Sequence, residues 1–82
     1  MPSKRKRIYL CLYNDDYNSV QYVRYMLTTA CNLNPITADQ IITICEHRGS
    51  AQVTSGFEPG IFVLYGTLAK AGLKVKLLDK KL

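Results

Sequence analysis

Ile8-Tyr9-Leu10-Cys11-Leu12-Tyr13-Asn14-Asp15-Asp16-Tyr17 is the stretch on which the fold turns. Its first six residues alternate. Ile8, Leu10 and Leu12 share one side and Tyr9, Cys11 and Tyr13 the other, the period of a half-buried strand. Asn14, Asp15 and Asp16 break the pattern, because short polar side chains bond nearby backbone amides and so favour a turn. Ser19 follows as an N-cap. Beyond it Val20, Val23, Met26, Leu27 and Ala30 recur at the spacing of one apolar helix face, so a helix runs to about Ala30 or Cys31.

Working outward, Asn34-Pro35 starts a second helix, with Asn as N-cap and Pro at the first helical position, where a missing N–H is no loss. Ala38, Ile41, Ile42 and Cys45 supply its inner face, and Gly49 ends it. Ser50 to Thr54 reads as a short strand before a turn at Ser55-Gly56. Glu58-Pro59 opens a third helix carrying Phe62, Tyr65, Leu68 and Ala69 inward, closed near Gly72. Leu73, Val75 and Leu77 alternate with Lys74 and Lys76, a last strand with one wet face. The order β-α-α-β-α-β, with strands scattered among helices, predicts an α+β fold: a three-stranded, largely antiparallel sheet packed against three helices. Residues 1–7 are read as a basic flexible N-terminus, 8–78 as one domain and 79–82 as a frayed tail.

With 82 residues, 48% hydrophobic and 21% charged, the composition is that of one small globular domain, without an apolar run long enough to span a membrane. MPSKRKR leads directly into the strand pattern and lacks the apolar core of a secretory signal. Cys11, Cys31 and Cys45 are odd in number and widely spaced, which suits small buried hydrophobes in a reducing compartment. The expected location is the cytoplasm. The net charge of +5 is concentrated at the ends, in Lys4, Arg5, Lys6 and Arg7 and in Lys74, Lys76, Lys80 and Lys81. Such clusters suit an acidic or nucleic-acid partner and equally suit solvated termini. His47 is the single histidine and has no nucleophile beside it in a local motif, and no phosphate-cradling glycine loop is present. Asp15, Asp16 and Glu46 lack the spacing of a calcium loop. Enzyme activity, cofactor and metal are therefore not expected.

The succession Asn14-Asp15-Asp16-Tyr17, an amphipathic helix, Gln40-Ile41-Ile42 and a polar helix end at Glu46-His47-Arg48-Gly49 resembles the ClpS family. These are adaptors that capture bulky N-terminal residues and hand substrates to a Clp protease. The match needs no gap from Leu12 to Gly49 and continues more loosely through the third helix, which is shorter here. The resemblance implies that Asn14, Asp15 and Glu46 receive the α-amino group of a substrate. It further implies that Asn18, Val20, Ile42, Cys45 and Leu73 line the pocket for its side chain. Asp16 and His47 neighbour the site, with Asp16 shaping the loop. Val20 replaces a methionine that narrows the pocket mouth in the family, which implies that β-branched residues also enter. Glu46, not His47, falls at the family's ammonium-binding histidine. A one-residue shift would rescue the histidine but turn the helix by about 100° and displace Ile42. The residues themselves leave a plainer reading open, in which Val20, Ile42, Cys45 and Leu73 are ordinary core.

The resemblance thus implies a monomeric adaptor whose partners are N-terminal peptides and a Clp-type AAA+ unfoldase, with neither membrane nor nucleic acid among them. An alternative is a regulator on the same scaffold that binds an unfoldase or another protein without recognising N-termini. The seven residues before the strand are fewer than the extension the family uses in delivery, a mark of a diverged member. A glutamate near Asp15 also predicts like-charge repulsion that raises the pKa of one carboxyl, so that binding weakens on acidification.

Overall fold

The structure, a computed structural model, describes residues 6–81. Lys4 and Arg5 of the basic N-terminus, and Leu82 of the tail, lie outside the described residues. The elements are β1 (Ile8–Tyr13), α1 (Val20–Thr29), α2 (Pro35–Arg48), β2 (Ser50–Gly56), α3 (Gly60–Lys70) and β3 (Val75–Leu78). They form an antiparallel sheet in the order β2-β1-β3, so the strand read first in the sequence is the central one. Its inward residues Leu10 and Leu12 meet Leu27 of α1, Ile41, Ile42 and Cys45 of α2, and Ile61 and Leu68 of α3 in a single core. All three helices therefore lie on one face of the sheet. This is the α+β arrangement predicted from the periodicities.

The local signals act as expected. Ser19 caps α1 by accepting from the Tyr22 N–H at 3.1 Å, and Asn34 caps α2 by accepting from the Thr37 N–H at 2.8 Å. Gly49 ends α2 with a φ of 89°, a left-handed conformation in which a Cβ would be strained. Ala38, Ile41, Ile42 and Cys45 are all buried, the inner face assigned to α2.

Two element readings need correction. The second strand extends to Gly56, because β1 supplies partners for both residues read as a turn: Ser55 faces Tyr9 and Gly56 faces Ile8, beyond a bulge at Leu10/Cys11. In α3 the buried residues are Ile61 and Leu68, with Leu64 and Tyr65 packed partly against the core. Phe62 and Ala69 point away from it. The segment Gly60–Lys70 is apolar nearly all round, so its composition cannot select a face. The sheet selects it instead, taking the 61/64/68 stripe at helical spacing.

Lys6 and Arg7, assigned to the N-terminus, are engaged by the fold. Lys6 pairs with Asp79 at 3.6 Å, and Arg7 donates to the Ser55 hydroxyl at 3.0 Å while lying 4.8 Å from the centre of the Phe57 ring. Among the described residues no helix is long and apolar enough to cross a membrane.

Candidate functional site

Where β1 runs out, its backbone is held from two sides. The Tyr13 N–H donates to the Lys74 carbonyl at 2.7 Å, and the Asn14 N–H donates to the Gly49 carbonyl at 2.9 Å. The left-handed corner after α2 thus fixes the start of the loop that carries Asn14 and Asp15. The loop is then closed by Asp15 itself. One carboxylate oxygen accepts from the Tyr17 N–H at 2.8 Å and the Asn18 N–H at 2.9 Å, and the other accepts from the Asn18 side-chain amide at 3.3 Å. This is the side-chain-to-backbone turn for which Asp and Asn are favoured. The Asn18 amide also donates to the Gly72 carbonyl at 2.9 Å, and the Tyr22 hydroxyl to the Ala71 carbonyl at 2.6 Å. Loop and α1 are stapled to the turn before β3.

Between this loop, α1 and α2 lies a cavity of about 70 Å³. Leu12, Ile42 and Cys45 are buried along it, Val23 of α1 is half-buried, and Val20 stands 43% exposed at its mouth. Asn14, Asp15, Asn18 and Glu46 contribute the polar part of the lining, with Tyr13 beside them. An apolar hollow with a few convergent polar groups is the usual form of a small-ligand site.

Seven of the residues singled out from the sequence meet at this cavity: Asn14, Asp15, Asn18, Val20, Ile42, Cys45 and Glu46. Leu73 does not. It is buried in the core, its N–H bonded to the Leu68 carbonyl at 3.2 Å, and its placement in the pocket wall is corrected. Asp16 and His47 are exposed and outside the lining, His47 one position further round α2 than Glu46. Leu12, Tyr13 and Val23 line the cavity without having been singled out. A signal existed for two of them: Leu12 lies on the inward side of β1, and Val23 is one helical turn from Val20.

The electrostatics of Asp15 are set chiefly by its own loop. Burial acts to raise its pKa, but the Asn18 and Tyr17 backbone amides, the Asn18 side chain and the Lys74 ammonium together outweigh burial and hold the carboxyl below its usual range. Repulsion from Glu46 is not among the causes that act on Asp15. Cys45 moves the other way. Burial pushes its thiol up, and the negative charges of Asp15 and Glu46 add to the shift. It stays a neutral thiol, directed at the Leu12 carbonyl at 3.5 Å. The site thus carries negative charge at its polar rim over a neutral apolar floor, which suits a cation attached to an apolar group.

No curated protein sequence matches the chain. Among solved structures, that of Agrobacterium tumefaciens ClpS2 bound to L-phenylalaninamide superposes with a TM-score of 0.75 at 20% identity, covering 92% of this chain and 98% of that one. At that identity the likeness concerns the fold. Residues 3–59 match the family described as the ATP-dependent Clp protease adaptor protein ClpS, more than half of the sequence and the whole of the loop, both cavity helices and β2. The chain belongs to the ClpS family.

Proposed function

We propose that this protein captures the N-terminal residue of substrate proteins and presents them to a Clp-type AAA+ unfoldase. The observation that carries the reading is the cavity itself, where Asn14, Asp15 and Glu46 edge a hollow floored by Leu12, Ile42 and Cys45. An N-terminal residue is an ammonium next to a side chain. The acceptors suit the first and the hollow suits the second. Charge-assisted hydrogen bonds are roughly twice as strong as neutral ones, and burying an apolar side chain contributes about 1.5–3 kcal/mol, consistent with micromolar binding. The ligand of the ClpS2 structure, phenylalaninamide, has the same two parts.

The volume of 70 Å³ is about half of the roughly 150 Å³ that encloses a benzene ring. Aliphatic first residues fit the hollow as it stands, whereas a ring requires side chains at the mouth to move. Val20, short and at that mouth, leaves room for β-branched residues. The test is fluorescence anisotropy with labelled peptides that differ only at residue one, each with a free and an acetylated amino terminus. The expected result is micromolar binding, with Leu, Ile and Val ahead of Trp, weakened at least about tenfold by acetylation, which removes the charge and leaves the side chain. Equal binding of acetylated and free peptides would remove the amino group from the reading.

The pH dependence follows from Asp15. Held below the usual carboxylate range, it remains charged in mild acid, so affinity should be level from neutral pH down to about pH 5. Above about pH 8 the ligand's own α-amino group loses its proton, and affinity should fall about tenfold per pH unit. A steep loss of affinity between pH 7 and 5.5 would contradict the role given to Asp15.

A regulator that binds an unfoldase without recognising N-termini is favoured by one observation: three hydrogen bonds already tie the Asp15 carboxylate to its own loop. A carboxylate has about four acceptor positions, so room for a ligand donor remains. If no peptide binds while an unfoldase does, the regulator is the better description.

A further inference from the structure

The helices cover one face of the sheet and leave the other without a packing partner. The register places Tyr9, Cys11 and Tyr13 of the central strand on that face, the two tyrosines half-buried and Cys11 between them fully buried, with Ser55, Gln52 and Ser50 across from them on β2 and Leu78 and Lys76 on β3. Lys74, two positions before Lys76, continues the β3 row, and Arg7 joins through its bond to the Ser55 hydroxyl. Lys76 extends over the Tyr13 ring, its ammonium 5.1 Å from the ring centre. Among the described residues at these positions three are cations, two are tyrosines and none is a carboxylate. Acids adjoin the face at its ends: Asp15 and Asp16 after β1, Asp79 paired with Lys6, and Glu58 next to the Phe57 over which Arg7 lies.

We propose that this open sheet face binds single-stranded nucleic acid. Flat aromatic rings on a sheet, interleaved with cations, are what unpaired bases and their phosphates require: the rings stack on bases and the ammonium and guanidinium groups neutralise the backbone. Tyr9 and Tyr13 lie four residues apart on one strand, about 13 Å, a span that a short run of splayed nucleotides bridges. Gln52, Ser50 and Ser55 offer hydrogen-bonding groups along one side. The Lys76 ammonium stands over the ring a base would take, and transfers to a phosphate when the base stacks. An acidic protein segment would meet the same cations but leave the tyrosine rings without a role, so nucleic acid uses more of the face. A duplex keeps its bases stacked on each other and inaccessible to the rings. The face meets the peptide cavity at Tyr13, which also lines the cavity, and at Lys74, whose charge acts on Asp15, while Tyr9, Lys76 and Arg7 stand apart from it. The terminal basic clusters suit such a partner and solvated termini equally, and the tyrosines and lysines come together only across the sheet.

The experiment is fluorescence anisotropy of a labelled oligouridine of about twelve nucleotides against the full chain over a range of salt. Three phosphate contacts predict a slope of about −2 in log affinity against log salt, about a fifteenfold loss between 50 and 200 mM. The double variant Tyr9→Leu/Tyr13→Leu keeps apolar bulk and removes the rings, and should weaken binding at least about fivefold. Lys76→Gln, at an exposed position where folding is not at stake, should weaken binding and flatten the slope. Salt-dependent binding that the tyrosine variant leaves unchanged would overturn the proposal in favour of adsorption to basic tails. Equal affinity for a duplex of the same length, or for a polyglutamate peptide, would overturn it too, as would no binding at low salt.

Discussion

Asp15→Asn is expected to weaken binding of free-amino-terminus peptides by about tenfold to a hundredfold, the range for losing a hydrogen bond to a charged group. The substitution separates the two tasks of the residue. An amide oxygen can still accept from the Tyr17 and Asn18 backbone N–H groups, so the turn survives. The negative charge does not, and the amide nitrogen now faces the Asn18 side-chain donor in place of an acceptor. Asp15→Ala removes both tasks and leaves the two backbone donors dependent on water, so it should lower the melting temperature as well as the affinity. Anisotropy and thermal melting, run on both variants, distinguish the cases. Parental affinity in Asp15→Asn would mean that the amino group is received elsewhere.

The same residue sets a sign for stability against pH. Because its pKa is lower in the fold than in the unfolded chain, where it is about 3.9, Asp15 contributes stability that is fully present above that value. The contribution is lost as pH falls through the folded value. Any acid step due to Asp15 therefore lies below about pH 4, clear of the range in which peptide binding would be measured, and should be absent from Asp15→Asn.

The largest loss of stability is expected from Leu10→Ala, at about 2–5 kcal/mol. Leu10 has no exposed surface and lies in the middle of the central strand, opposite Thr54 on one side and Leu77 on the other. Truncation there opens a void at the junction of all three strands and the helices packed on them, and a close-packed interior relaxes only partly to fill it. Domains of this size have about 5–15 kcal/mol in total, so a large share of the stability is at stake. Urea unfolding should show the midpoint moving sharply down with little change in slope. Ile44→Ala, on the exposed side of α2, should stay within about 0.5 kcal/mol of the parent. Equal effects at the two positions would contradict the assignment of Leu10 to the core.

The sequence was most legible where structure depends on neighbours along the chain. Alternation in β1, the caps Ser19 and Asn34 with Pro35 behind it, and Gly49 at the end of α2 all name their conformation through local chemistry. The spacing from Asn14 to Gly49 sufficed to indicate the family. The readings that failed were those with two local solutions. Ser55-Gly56 can turn or pair, and pairs because β1 reaches far enough to meet it. Phe62 and Ile61 are equally apolar, and only the position of the sheet buries one and exposes the other. Leu73 was placed at the cavity by a match that had already loosened, whereas its bond to the Leu68 carbonyl draws it into the core behind α3.

By itself, then, the sequence determined the element order and the helix starts at their caps, because propensity, capping and periodicity act within a few residues. The tertiary structure alone decided the remainder: which stripe of α3 is buried, that Leu12 and Cys45 share one cavity floor, that the Asn18 and Lys74 donors and charges hold Asp15 ionised, and that tyrosines of β1 stand beside lysines of β3. Each of these joins residues far apart in the chain, and their contacts exist only once the sheet has brought them together.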